Sequence, residues 1–70
     1  MLKRSLSIAG HRTSLALEVE FWAGLEALAQ ARGRTLAETI RDIDEARQGN
    51  NLSSAVRIAV LTFYREGAGA

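Results

Sequence analysis

The chain has 70 residues, nine Lys/Arg against eight Asp/Glu, 47% apolar residues and no cysteine. That is one small domain, marginal alone, with no means of forming disulfides or thiolate metal sites. A single histidine argues against a zinc site built from protein ligands, and the longest apolar run falls far short of a membrane span.

Of the usual supports for so small a domain, oligomerisation remains. Leu2-Lys3-Arg4 is not followed by the apolar stretch of a secretory signal, so a soluble, cytoplasmic setting is expected. Charge is unevenly placed. Lys3, Arg4, His11 and Arg12 precede Leu17 without one acid, and all eight acids lie from Glu18 onward. Such asymmetry fits an anionic partner for the basic end, although charge alone fits a solubilising tail better.

Residues 1–17 read as a basic strand or hairpin region. "KRSLSI" alternates Leu6 and Ile8 with Ser5 and Ser7. Ala9-Gly10-His11-Arg12 then interrupts. Glycine at the first loop position suits a two-residue type II′ turn, which sets Leu6 opposite Leu15. A four-residue loop, Gly10 to Thr13, sets Ile8 opposite Leu15 instead. Both registers stay open, as does a loose arm over residues 1–9. "HRTSLAL" is a strand with Leu15 and Leu17 on one face and Arg12, Ser14 and Ala16 on the other.

Three helices are expected over residues 18–66. At Glu18 the apolar period changes from 2 to about 3.6. The first helix runs from about Glu18 to Arg32, with Glu18 and Glu20 suiting its positive end. Phe21, Leu25, Leu28, Ala29 and Arg32 share a stripe, and Gly33 is a left-handed cap. Gly24 costs about 1 kcal/mol relative to Ala inside a helix, which points to a close helix contact there. Thr35-Leu36-Ala37-Glu38 is a capping box opening a second helix. Leu36, Ile40 and Ile43 form its apolar stripe, while Glu38, Arg41, Asp42 and Glu45 stay wet. "RQGNN" ends it.

Asn51 caps a third helix that reaches about Glu66. Leu52, Ala55, Val56, Ala59, Val60 and Phe63 lie on one side of it; Ile58, Leu61 and Tyr64 lie on the other. A helix apolar nearly all round must be covered nearly all round, and a second subunit would do so. The tail, residues 67–70, should fray. The chain has no internal repeat, no linker and no proline.

Little points to catalysis, and neither an enzyme nor a cofactor is expected. His11, the only imidazole, sits in the turn. Asp42, Asp44 and Glu45 are interleaved with Arg41 and Arg47, as on a solvated helix face. Ser53-Ser54 lacks a neighbouring base and suits a first helical turn. No phosphate-binding glycine loop is present. Trp22 reads as core or subunit contact.

A strand with one apolar face needs a partner. Two copies paired antiparallel across a two-fold axis would turn Leu15 and Leu17 toward the helices of both chains. Arg12, Ser14 and Ala16 would then line the opposite face, twice over. A two-stranded ribbon fits the major groove of B-DNA, where Arg reaches guanine, Ser bonds permissively and Ala touches a thymine methyl. Lys3, Arg4 and His11 would lie near phosphates.

"RTSLALE", then "EFWAGLEALAQARG", then "RTLAETIRDI" resembles the ribbon-helix-helix family of DNA-binding dimers. The wider frame, "KRSLSIAGHRTSLALEVEFW" through "NLSSAVRIAVLTFYRE", is similar to its short stand-alone bacterial members and covers nearly the whole chain. The resemblance implies a single mostly α domain over residues 1–70, with a short N-terminal β ribbon, intertwined as a homodimer. It implies a transcriptional regulator that contacts double-stranded DNA through Arg12, Ser14 and Ala16. The family has one helix after the glycine and this chain has two. The third helix is taken as the equivalent, with residues 34–48 inserted. The family's phosphate anchor then falls on Ser53 and Ser54, or on Thr35 if the second helix is the equivalent. A rival reading keeps the dimer, drops the DNA and presents the acidic second helix to a protein partner, in an antitoxin-like or adaptor role.

Overall fold

The structure is a computed structural model, and it describes residues 1–49 and 51–68. Strands β1 (Leu2–Ile8) and β2 (His11–Leu17) are followed by helices α1 (Val19–Arg32), α2 (Leu36–Ala46) and α3 (Leu52–Phe63). A π-helical turn, Tyr64–Ala68, continues α3. The chain is thus mostly α with an N-terminal two-stranded antiparallel sheet. The helical continuation expected to Glu66 is present, in the wider π pitch. Of the tail expected to fray, Gly67 and Ala68 belong to that turn, and the rest lies outside the described residues. No described helix is long and apolar enough to cross a membrane.

The hairpin corrects both expected registers. Its loop is Ala9-Gly10, with φ of 52° and 82°. Positive φ at both loop positions is the type I′ signature, whose twist matches that of paired strands. The pairs run from Leu2↔Leu17 to Ile8↔His11, with Leu6 opposite Thr13 and Leu15 opposite Arg4. A later loop would leave fewer residues of the second strand to pair before α1 begins. The early loop lengthens the ladder and carries the pairing of Leu17 out to Leu2. Residues 1–9 are therefore no loose arm.

One face of the hairpin meets the helices. Ile8, Leu15 and Leu17 join Trp22, Leu25 and Leu28 of α1, Ile40 and Ile43 of α2, and Ala55, Val56 and Val60 of α3 in one core. Leu15 is 2% exposed and Leu17 fully buried within the single chain. The expectation that these two leucines need a second chain is corrected: β1 supplies the neighbouring strand.

Local signals place the helices. Gly33 adopts φ 66°, and its amide and that of Arg34 donate to the carbonyls of Gln30 and Ala29. The capping box closes as expected, with Glu38 N–H donating to Thr35 Oγ1 at 3.0 Å and Thr35 N–H to Glu38 Oε1 at 2.9 Å. Ser54 N–H donates to Asn51 Oδ1 at 2.8 Å. Gly24 does mark a close helix contact. A Cβ there would lie 2.6 Å from Val60 Cγ1 and 3.2 Å from Tyr64 Cε2. The inner side of α3 is packed, but Ile58, Leu61 and Tyr64 are 54%, 55% and 47% exposed, one stripe along its outer side.

Ala9 holds a conformation that an L residue enters at a cost of about 1–2 kcal/mol. Asn tolerates it better, and Asn-Gly is the favoured pair in such turns. Ala9→Asn should therefore stabilise the fold by about 0.5–1 kcal/mol, read as a higher urea midpoint at unchanged slope. A lowered midpoint would show that the turn is not strained in solution.

Candidate nucleic-acid interface

Strand pairing divides the first 17 residues into two faces. Toward the helices lie the pairs Leu2↔Leu17, Arg4↔Leu15, Leu6↔Thr13 and Ile8↔His11. Outward lie Lys3↔Ala16, Ser5↔Ser14 and Ser7↔Arg12. All six outer residues are exposed except Ala16, which is half-buried. The outer face is small, hydroxylated and free of carboxylates, with a cation near either end.

The ion pairs decide how much of the chain's positive charge is available. Arg34 grips Asp42 with two hydrogen bonds, at 3.1 and 3.0 Å. Arg41 pairs with Glu45, Arg47 with Asp44, Arg57 with Glu18 and Arg4 with Glu26. Lys3 and Arg12 of the hairpin, like Arg32 and Arg65 of the helices, have no such partner among the described residues. A net charge of +1 thus hides a local excess on the hairpin's outer side.

The residues singled out in the sequence do not all converge. Lys3, Arg12, Ser14 and Ala16 share the outer face. Arg4 does not: its guanidinium carbon stands 4.5 Å from the centroid of the Trp22 ring, and its Nη1 is 3.4 Å from Glu26 Oε2. His11 is exposed beside the turn, on the register of the inner face. Ser53 and Ser54 are half-exposed in the first turn of α3, on a separate element. No carboxylate lies in that turn, whereas Glu38 occupies the start of α2. Trp22 is buried, a core residue rather than a stacking platform.

Ser5 and Ser7 were not among the expected contacts. Their alternation with Leu6 and Ile8 was visible, but only the loop position shows which strand they adjoin. A second feature had no local signal at all. Glu18, next to the end of β2, accepts two hydrogen bonds from Arg57 of α3, at 2.9 and 3.2 Å, across 39 residues of sequence. The same guanidinium lies 5.8 Å from the Phe21 ring centroid. This clamp ties the end of the hairpin to α3.

With that geometry in hand, the comparison with known families is decisive: the ribbon-helix-helix domain profile matches residues 1–64. The chain belongs to the ribbon-helix-helix family. No curated protein and no solved structure is similar enough to count as a match. Ribbon-helix-helix domains generally form dimers that bind DNA and serve as regulators. In this ribbon-helix-helix chain the strand, the first helix and the Gly33 cap appear in the expected order, with α2 and α3 both inside the matched span.

The hydrogen bonds from Arg57 hold the Glu18 carboxyl below its ordinary value of 4.5. The Thr35 backbone and hydroxyl lower Glu38 in the same direction. A carboxyl lowered by folding stabilises the native state above its unfolded pKa, and that contribution disappears as pH falls through the folded value. Native stability should therefore decline as pH drops from about 5 toward 3, and Glu18→Gln should flatten part of that decline. Urea midpoints measured across this range are the check; parallel curves for the two proteins would deny the clamp its role.

Proposed function

We propose that the protein is a homodimeric, cytoplasmic DNA-binding regulator that inserts its β ribbon into the major groove. One observation carries the reading: the hairpin's outer face combines small side chains with two unneutralised cations and no acid. An α-helix-free surface of this kind suits a groove about 12 Å wide, lined by base-edge donors and acceptors and walled by phosphates. Arg12 is the residue assigned to base or phosphate contact, with Ser14 and Ala16 beside it and Lys3 near a phosphate. Arg4 is withdrawn from that set, because Glu26 and the indole already engage its charge. His11 stays at the margin, by the turn. For the phosphate anchor, the first turn of α3 with Ser53 and Ser54 is preferred to Thr35, since a carboxylate at the start of α2 repels an anion.

The dimer is assigned to the outer side of α3. Ile58, Leu61 and Tyr64 leave apolar surface exposed on one helix of a domain too small to carry it without loss. The rival adaptor reading draws on the acids of α2, but Arg34, Arg41 and Arg47 pair with Asp42, Glu45 and Asp44 and largely neutralise that face. We therefore prefer the DNA-binding reading. Retention on heparin or duplex DNA separates the two.

Arg12→Ala should weaken duplex binding about tenfold or more and lower the salt dependence by roughly one phosphate contact, with dimerisation intact. Unchanged affinity at moderate salt would remove Arg12 from the interface. Leu61→Glu should shift sedimentation toward the monomer while the helical circular dichroism persists. A Leu61→Glu dimer as tight as the wild type would place the interface elsewhere.

A further inference from the structure

The helical side of the molecule holds a cavity that the duplex-binding reading does not use. Helix α1 ends at Arg32, and the left-handed Gly33 turns the chain back toward α2. The end of α1, the C-terminal half of α2 and the middle of α3 enclose an open cavity of about 450 Å³. That volume lies within the range of small-molecule sites, roughly 300–1,000 Å³. The residues explain the depression. Ala46, Ala55 and Ala59 line it, and single methyl groups leave the space between the helices unfilled. Ile43 and Ala55 are buried at its base, and Ile58 is an exposed wall.

Three charged side chains border the cavity: Arg32, Asp42 and Arg47. Asp42 accepts two hydrogen bonds from Arg34, at 3.1 and 3.0 Å, and Arg47 reaches Asp44 at 2.6 Å. Both are already balanced. Arg32 has no side-chain acceptor among the described residues. The carboxyl end of α1 favours a cation there, which accounts for the charge. It leaves a fork of five N–H donors without the planar acceptor that suits it. The rim thus carries one net positive charge beside an apolar base. A second cavity, about 430 Å³, meets the first at Arg32 and Ala59. Glu66 borders that one, without a cation partner among the described residues, and repels an anion.

We propose that the cavity between α2 and α3 binds a small monocarboxylate with an apolar tail, its head on the Arg32 guanidinium and its tail against Ile43, Ala55 and Ile58. The charge match selects a single negative charge, because a dianion would exceed the one unpaired guanidinium and face Asp42. The tail lies in the first cavity and not the second, away from Glu66. None of the residues assigned to duplex contact takes part, and only Ile58 is shared with the stripe assigned to the dimer. The site therefore stands or falls apart from the duplex-binding reading.

The test titrates the full-length protein with octanoate, following assigned amide and methyl resonances, with butyrate and octanol as companions. Octanoate should shift Arg32, Ile43, Ala46 and Ile58 first, and affinity should fall about two- to threefold for each methylene removed. Octanol should bind about tenfold more weakly, having no charge for Arg32. Arg32→Gln should weaken octanoate about tenfold and leave octanol unchanged, a split that a damaged fold would not produce. Ala46→Phe, at an exposed position, should weaken both by filling the cavity. Equal affinity for octanoate and octanol, or an equal loss of both in Arg32→Gln, would remove the guanidinium from the site. Wild-type binding by Ala46→Phe would put the tail elsewhere. Shifts centred on the hairpin, or butyrate binding as tightly as octanoate, would reduce the effect to plain anion binding and overturn the proposal. So would an absence of octanoate shifts at the cavity.

Discussion

The fold depends on where the indole of Trp22 sits. Its ring is buried under the sheet, its Nε1–H reaches back to the Leu2 carbonyl, and Arg4 lies over its face. One side chain of α1 thereby fixes the first strand, orders the hairpin and covers the core beneath it. The magnitude shows how much rests on this. Truncating a buried aromatic to Ala costs about 3–5 kcal/mol. A 70-residue domain at the usual 0.05–0.15 kcal/mol per residue has roughly 3.5–10 kcal/mol in all. The indole thus carries a large share of the margin, and it also determines which face of β1 turns outward.

Much of the architecture was legible because local chemistry specified it. The Thr35–Glu38 box, the Asn51 cap and the Gly33 reversal each satisfy orphan backbone groups with residues a few positions away. The two periods separated strand from helix at Glu18. Leu15 and Leu17 declared the inner face. The hairpin register was not legible, because every loop considered keeps Leu6, Ile8, Leu15 and Leu17 on the same side. Alternation fixes a face and leaves the sliding free. Only ladder length and the reach of Trp22 to Leu2 choose among the slides, and both are properties of the folded chain. The candidate site followed the same division. Arg12, Ser14 and Ala16 were readable as one face, whereas the separation of Lys3 from Arg4 required knowing that β1 is a strand.

Charge is distributed with a similar logic. Five arginines sit against carboxylates, and the exposed pairs among them contribute little stability, a few tenths of a kcal/mol each. Their larger effect is on the field. They neutralise five of the nine cations and leave Lys3 and Arg12 unpaired on the acid-free outer face of the hairpin. The Glu18–Arg57 clamp belongs to this scheme twice over, since it neutralises a carboxylate near the ribbon and joins the end of β2 to α3.

That connection links the two surfaces on which the proposed function relies. The α1–α3 crossing is close because Gly24 lets Val60 and Tyr64 approach, and a Cβ there would push against both. Tyr64 also belongs to the exposed stripe with Ile58 and Leu61. The hairpin is anchored to α1 through Trp22 and to α3 through Glu18. The exposed stripe of α3 is therefore tied to a hairpin whose two strands pair with each other. Helix α2 also has a physical role. By packing against β1, α1 and α3 it covers Ile40 and Ile43 together with the rest of the core, so that the interior closes within the chain.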